Sequence, residues 1–364
     1  MYKPKLQYIF CVMRERSLWT QLSLIKHLNS FGMSPYIIFN RAEDREAYGR
    51  VIQFALEKSG VKFEDGRDII KEEHPNYDVM FSESSGFSNK FEKKCLTESK
   101  RKGKINIKLN NAISICCDIT NPNYTTEHVK DTLNGMCMKG QRTIEHYQKF
   151  SKNLFFINVG DSDWDMFETE EFKSQVKQIN EKYGNKILLI GSDFGGIPEE
   201  VSWDNQAILQ AQKMGFKVIV RVHVGREKFI PDSLKEYVDL ETPRFVLFAA
   251  ASHVIENIAS TMLAECLYLN KKVGCSALIP HPKDYGSTSG WVTNYDEWKK
   301  LILPKAGKEF CDIIPRAVSE EELDKFLSSN EVFADQNKID SIFGWNRVPN
   351  YCSQTFEEIE KKLL

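Results

Sequence analysis

Along the first 120 residues, short apolar runs of strand length alternate with segments of helical period. LQYIFCVM (6–13), SPYIIFN (34–40), YDVMFSE (77–83), KINIKLN (104–110) and AISICCDI (112–119) are rich in Ile, Val, Phe and Tyr, the composition of strands buried on both faces. Between them, LWTQLSLIKHLNSFG sets Leu18, Leu22, Ile25 and Leu28 on one helical face and ends at Gly32; DREAYGRVIQFALEKSG stops at Gly60 in the same way. Strand, helix and strand in repetition predict a parallel sheet covered by helices on both faces.

The stretch TTEHVKDTLNGMCMKGQRTIEHYQKF (125–150) reads as a long helix, after which the alternation restarts. The second series runs NLFFINV (153–159), a helix in FKSQVKQINEKYG, KILLIGS (186–192), a helix in DNQAILQAQKMG, KVIVRVHV (217–224), RFVLFA (244–249), HVIENIASTMLAECLYLN and KVGCSALI (272–279). SEEELDKFLSS onward to FEEIEKKLL is amphipathic and helical. A chain of 364 residues exceeds what one ordinary core organises. The expected architecture is therefore α/β with two Rossmann-like domains facing across a cleft: an acceptor-side domain over 1–150, a donor-binding domain over 151–330, and a helical tail over 331–364 packing back across the junction.

Composition narrows the chemistry. Lys and Arg number 49 against 51 Asp and Glu, a formal charge of -2, which gives no general pull toward nucleic acid or anionic membrane. No basic stripe or stacking aromatic ladder is present, so a nucleic-acid partner is not expected. The nine cysteines are scattered without a C-x-x-C pair, the pattern of reduced thiols rather than of a zinc site, and no metal is expected. The opening MYKPKLQYIFCVMRERS meets charges too early to be a signal core or a membrane span. A cytoplasmic protein is expected, with peripheral docking on a membrane left open and the oligomeric state unspecified.

In open α/β sheets, ligands sit beyond the carboxyl ends of the strands and near helix N-termini. In the first half, that places three acids as candidate catalytic bases: Glu15 after the first strand, Glu83 in FSESSG and Asp118 in CCDIT. Glu83 ranks first, because Ser84, Ser85 and Gly86 form a close-approach loop beside it. In the second half the strand ends carry Gly191 and Ser192 of GSDFGG, Arg221 and His223 of RVHVGRE, and the Ser260-Thr261 pair before the helix that holds Glu265. Ser260 and Thr261 at a helix start leave backbone N–H groups and a positive helix end for a pyrophosphate. Arg221 and His223 suit phosphate oxygens. Glu265, one turn beyond Thr261, suits two ribose hydroxyls. The competing reading is a capped core helix whose glutamate pairs with a nearby lysine.

KILLIGSDFGG, QAQKMGFKVIVRVHV and HVIENIASTMLAECLYLNKKVGC together resemble the C-terminal nucleotide-binding half of GT-B glycosyltransferases, above all the bacterial group with CDP-glycerol glycerophosphotransferases and capsule sugar transferases. Arg221, Val222 and His223 stand where that group has Lys-x-His, and Ser260, Thr261 and Glu265 match its later Ser-Ser/Thr-x-x-x-Glu element. NKKV replaces its NKPV, and the proline beside the histidine is missing. NLFFINVGDSDWDMFE is similar to the turn linking the group's two halves, and HPKDYGSTSGWVTNYDEW to the loop after its last nucleotide-side strand. The resemblance implies metal-independent transfer of a sugar or polyol phosphate from a nucleotide-activated donor to a glycan or cell-surface polymer. The donor is then a co-substrate, and no separate cofactor is implied. Sugar-nucleotide 2-epimerases share the fold and the His and Ser-x-x-x-x-Glu pattern, and RERS (14–17) partly fits their first loop. A non-catalytic sugar-nucleotide-binding subunit is the alternative outside enzymes, since fold does not set function.

Overall fold

The structure, a computed structural model, describes residues 1–12, 15–39, 46–73, 76–82, 90–109, 131–148, 151, 153–192, 198–222, 230–256, 261–275, 313–315, 317, 319–329, 335–347 and 349–364. The chain divides into two compact units. The first comprises Met1–Ile113, Thr120–Glu168 and Phe343–Leu364, and the second Ser114–Ile119 and Thr169–Ile342.

In the first unit the chain runs β1 (Tyr8–Val12), α1 (Glu15–Ser30), β2 (Tyr36–Phe39), α2 (Glu46–Ser59), β3 (Glu64–Asp65), β4 (Val79–Ser82), α3 (Lys90–Arg101), β5 (Ile105–Leu109), β6 (Gly135–Met138), α4 (Gln141–Gln148) and β7 (Phe155–Asn158). Among the described residues these strands form one seven-stranded sheet in the order β3-β2-β1-β4-β5-β6-β7, with every pair parallel. Period-two alternation sends the side chains of β1 to two cores. Tyr8, Phe10 and Val12 join Leu18, Leu22, Ile25 and Leu28 of α1 on one face, while Ile9 and Cys11 join Leu96 of α3 and Ile144 of α4 on the other. The predicted apolar face of α1 is thus the face that is buried.

The C-terminal helix Tyr351–Leu363 packs into the first of these cores through Phe356 and Ile359. Its Glu360, 1% exposed, accepts hydrogen bonds from Tyr2 Oη at 2.7 Å, Tyr8 Oη at 2.7 Å, Lys5 N–H at 2.8 Å and Leu6 N–H at 3.0 Å. Burial pushes its carboxyl up, but the Leu6, Tyr2, Tyr8 and Lys5 donors outweigh it and hold the group below the ordinary carboxylate range. Asn350, the residue before this helix, is left-handed and makes no side-chain cap. Asp165 supplies the cap instead, accepting from the N–H groups of Tyr351 at 2.7 Å and Cys352 at 2.9 Å.

The second unit holds α5 (Glu170–Tyr183), β8 (Ile187–Ser192), α6 (Pro198–Lys213), β9 (Lys217–Val222), α7 (Arg244–Ala250), β10 (His253–Glu256), α8 (Thr261–Tyr268), β11 (Lys272–Cys275) and α9 (Glu320–Ser328). A further helix, α10 (Gln336–Phe343), leads the chain back to the first unit. Among the described residues the four strands pair in parallel in the order β11-β10-β8-β9. The core on one side gathers Leu188, Ile190, Val218 and Val220 with Ala207, Ile208 and Phe326.

Three features differ from the sequence expectation. Within the stretch expected as one long helix over 125–150, Gly135–Met138 form β6, whose four residues are all buried, and Gln141–Gln148 form α4; a run buried on both faces shows no periodicity that separates strand from helix. Gly135 is required there, because a Cβ would lie 2.2 Å from the ring of Phe155, its neighbour across the ladder. RFVLFA is α7 rather than a strand, opening after Pro243. NLFFINV supplies β7, which completes the first sheet rather than starting the second, and the units divide after Glu168 instead of at 150. AISICCDI lies outside the described residues. Among the described residues, no helix is long and apolar enough to cross a membrane.

Candidate functional site

The strand order of each sheet reverses at one point, and open α/β sheets bind ligands beyond the carboxyl ends of the two strands that flank it. In the second unit these strands are β8 and β10. Register sets Glu256, the last residue of β10, beside Gly191, and Gly191 beside Arg221 of β9; Ser192 pairs with Val222, and Cys275 of β11 with Glu256. The chain after β10 returns at Thr261, the first residue of α8, with Glu265 one turn further in. Gly191, Ser192, Arg221, Thr261 and Glu265 therefore belong to elements that converge on one edge of one sheet. His223 and Ser260 lie outside the described residues.

Each described member has a local reason to be there. A Cβ at Gly191 would come within 3.0 Å of both Glu256 Cγ and Met262 Sδ, so the two side chains press on bare backbone. Ser192 Oγ donates to Asp204 Oδ2 of α6 at 2.8 Å, both residues being buried. Arg221 Nη1 donates to the carbonyls of Asp239 at 2.7 Å and Thr242 at 3.3 Å, tying the strand end to the turn at 239–242.

Glu265 is 3% exposed, and its described partner is Arg244 of α7, with Nη2 at 3.5 Å from Oε1. The neighbouring ammonium groups are engaged elsewhere: Lys271 donates to the carbonyl of Ala249 and Lys272 to that of Ser329. The lysine partner of the competing reading is thus not the observed one. Cys266, the next residue, is held as a neutral thiol far above its ordinary range by burial, with Glu265 and Glu256 adding to the shift.

Two residues of this edge escaped the sequence reading. Glu256 is 7% exposed at a strand's last position; an acid closing an apolar strand-length run was the available signal. Arg244 opens α7, and nothing local announces that it meets Glu265.

In the first unit the sheet reverses between β1 and β4. Glu15 follows β1 as the first residue of α1; Glu83 follows β4 directly but, like Asp118, lies outside the described residues. Just below this edge runs a buried polar row missed by the sequence reading. Cys11, Ser82 and Lys108 are successive register neighbours, and Lys108 Nζ lies 4.0 Å from Glu92 Oε1 of α3, both side chains fully buried. The acids of GDSDWD are absorbed by packing: Asp161 pairs with buried Lys139, Asp163 accepts from Ser23 Oγ at 3.2 Å, and Asp165 caps the C-terminal helix. Among the described residues, no three His, Cys, Asp or Glu side chains converge as metal ligands would.

No protein-family model matches the sequence, and no curated protein matches it significantly. Solved structures do resemble it. A UDP-N-acetylglucosamine 2-epimerase from Rickettsia bellii superposes with a TM-score of 0.58 at 11% identity over 98% of this chain and 97% of the other. The UDP-GlcNAc 2-epimerase from Neisseria meningitidis, bound to UDP-GlcNAc, gives 0.56 at 14% identity over 98% and 100%. The glycotransferase of kitacinnamycin gives 0.53 at 10% identity over 99% and 100%. The chain has the GT-B fold that these proteins share, built of two Rossmann-like units.

Proposed function

We propose that the protein is a nucleotide-sugar-dependent glycosyltransferase, moving a sugar or polyol phosphate from a nucleotide-activated donor to a glycan or cell-surface polymer acceptor without a resident metal. The observation that carries this reading is Glu265: a buried carboxylate with one distant described partner, on a helix that starts beside the switch point of the second sheet. Such a group retains acceptor capacity for a pair of hydroxyls, as a ribose presents. In this reading Ser260, Thr261 and the N-terminus of α8 receive the diphosphate, His223 donates to its oxygens, and Arg221 and Ser192 hold the strand ends in place.

Transfer forms a bond from the acceptor oxygen to the anomeric carbon of a sugar donor, or to the phosphorus of a polyol-phosphate donor, as the bond from that atom to the leaving phosphate oxygen breaks. The acceptor proton passes to a carboxylate of the first unit. Glu83 is the leading candidate and Glu15 the next, because they follow the two strands that flank the first switch point. Asp118 is the third. The helix end and His223 stabilise the charge that develops on the leaving group.

A second reading is favoured by a specific observation, the full-length structural likeness to UDP-GlcNAc 2-epimerases. The two separate on one measurement. An epimerase turns over the donor alone, a transferase requires an acceptor, and a binding subunit shows affinity without turnover. A thermal-shift panel of UDP, UDP-sugars, CDP, CDP-glycerol, CMP-sugars and GDP-sugars against wild type and His223→Ala tests the donor site. A selective shift lost in the variant is expected; no shift from any nucleotide overturns the proposal.

A further inference from the structure

We propose that Arg244 is a positioning residue for Glu265, holding that carboxylate aimed while leaving its oxygens open to ribose hydroxyls; this deepens the donor-site reading and rests on it. A buried carboxylate without a counter-charge is costly, and Arg244 is the described cation that faces Glu265. The separation of 3.5 Å is well beyond the 2.7–2.9 Å typical of a charge-assisted hydrogen bond. The guanidinium thus supplies field and orientation without saturating the oxygens.

Two further observations set Arg244 apart from an incidental surface arginine. It is the first residue of α7, where a cation opposes the positive helix end and does not stabilise the helix. Its guanidinium is also stacked 4.4 Å from the ring centroid of Phe245, a residue 6% exposed, which restricts where the cation can go. The arginine side chain remains 38% exposed while that of Glu265 is 4% exposed, so the cation reaches the acid from the solvent side. The adjacent Cys266 thiol feels the charges of Glu265, Glu256 at the end of β10 and Lys271, and Lys271 is held by the carbonyl of Ala249.

The test compares binding of UDP with 2′-deoxy-UDP, and of CDP with 2′-deoxy-CDP, by calorimetry to wild type, Arg244→Ala, Arg244→Lys and Glu265→Gln, with melting temperatures as a folding control. Wild type is expected to prefer the ribonucleotide by about tenfold or more, the factor that one hydrogen bond to a charged group supplies. Arg244→Ala is expected to lose most of that preference and, because it leaves the buried carboxylate without its cation, to lower the melting temperature while staying folded at the assay temperature; Arg244→Lys is expected to restore a large part of both. If Arg244→Ala retains the preference while Glu265→Gln loses it, the role given to Arg244 is overturned and the donor site stands. If wild type binds no nucleotide, or Glu265→Gln keeps the preference, the donor reading itself is overturned and this inference with it.

Discussion

Two buried glutamates, one in each unit, show how differently a carboxylate can be housed. Glu360 in the first unit receives two phenol hydroxyls and two backbone N–H groups within 3.0 Å. Glu265 in the second unit has an arginine at 3.5 Å. A saturated carboxylate has no capacity left for an outside donor, and its work is to fasten the first eight residues to the last helix. An unsaturated one retains acceptor sites, and a ligand can fill them.

The largest effect that would sharpen this contrast is expected from Glu360→Ala. Four donors would lose a charged acceptor, and the first unit should lose about 3–4 kcal/mol in a denaturant titration; a loss under ~1 kcal/mol would show that the network is ornamental. Acidification probes the second unit independently. Burial lowers the His253 imidazole to about 4, with the Lys272 and Lys186 charges adding to the effect. Its folded pKa lies below the unfolded value near 6.5, so between the two the unfolded chain takes up the proton and the native state does not. Stability is full above about pH 6.5 and declines by on the order of 2–3 kcal/mol as pH falls toward 4. His253→Leu should flatten that slope in melting temperatures recorded from pH 7 to 4.

Glu265→Ala should behave unlike Glu360→Ala. Nucleotide affinity should weaken by about 1–3 kcal/mol while denaturant stability changes less than it does for Glu360. The reverse ordering, large in stability and nil in affinity, would make the two glutamates equivalent and remove the basis of the donor site. The smallest effect is expected from Gly191→Ala. The new methyl must displace Glu256 and Met262, a cost of about 1 kcal/mol in stability, and the disturbed strand end should lower nucleotide affinity modestly.

Some of this was legible in the residue pattern and some was not. The strands β1, β2, β4, β5, β8, β9 and β11 coincide with apolar runs, and the apolar stripe of α1 is the buried one. The spacing of Thr261 and Glu265 placed the acid one turn into a helix that the structure contains. The strand GMCM and the helix RFVLFA were misread because a short, largely buried apolar run carries no period. Which sheet would take NLFFINV was also hidden, since a strand's own residues do not name its neighbours.

By itself the sequence determined the parallel α/β character, the strand ends where polar residues collect, and the one-turn offset of Glu265 from the helix start. These are consequences of local periodicity and of short-range spacing. Only the tertiary structure decided that Glu360 closes on residues 2–8 and that Glu265 faces Arg244 from a different helix. The physical reason is that burial is encoded in each segment's own apolar pattern, whereas the partners of a buried charge depend on which distant segments the packed cores bring within reach.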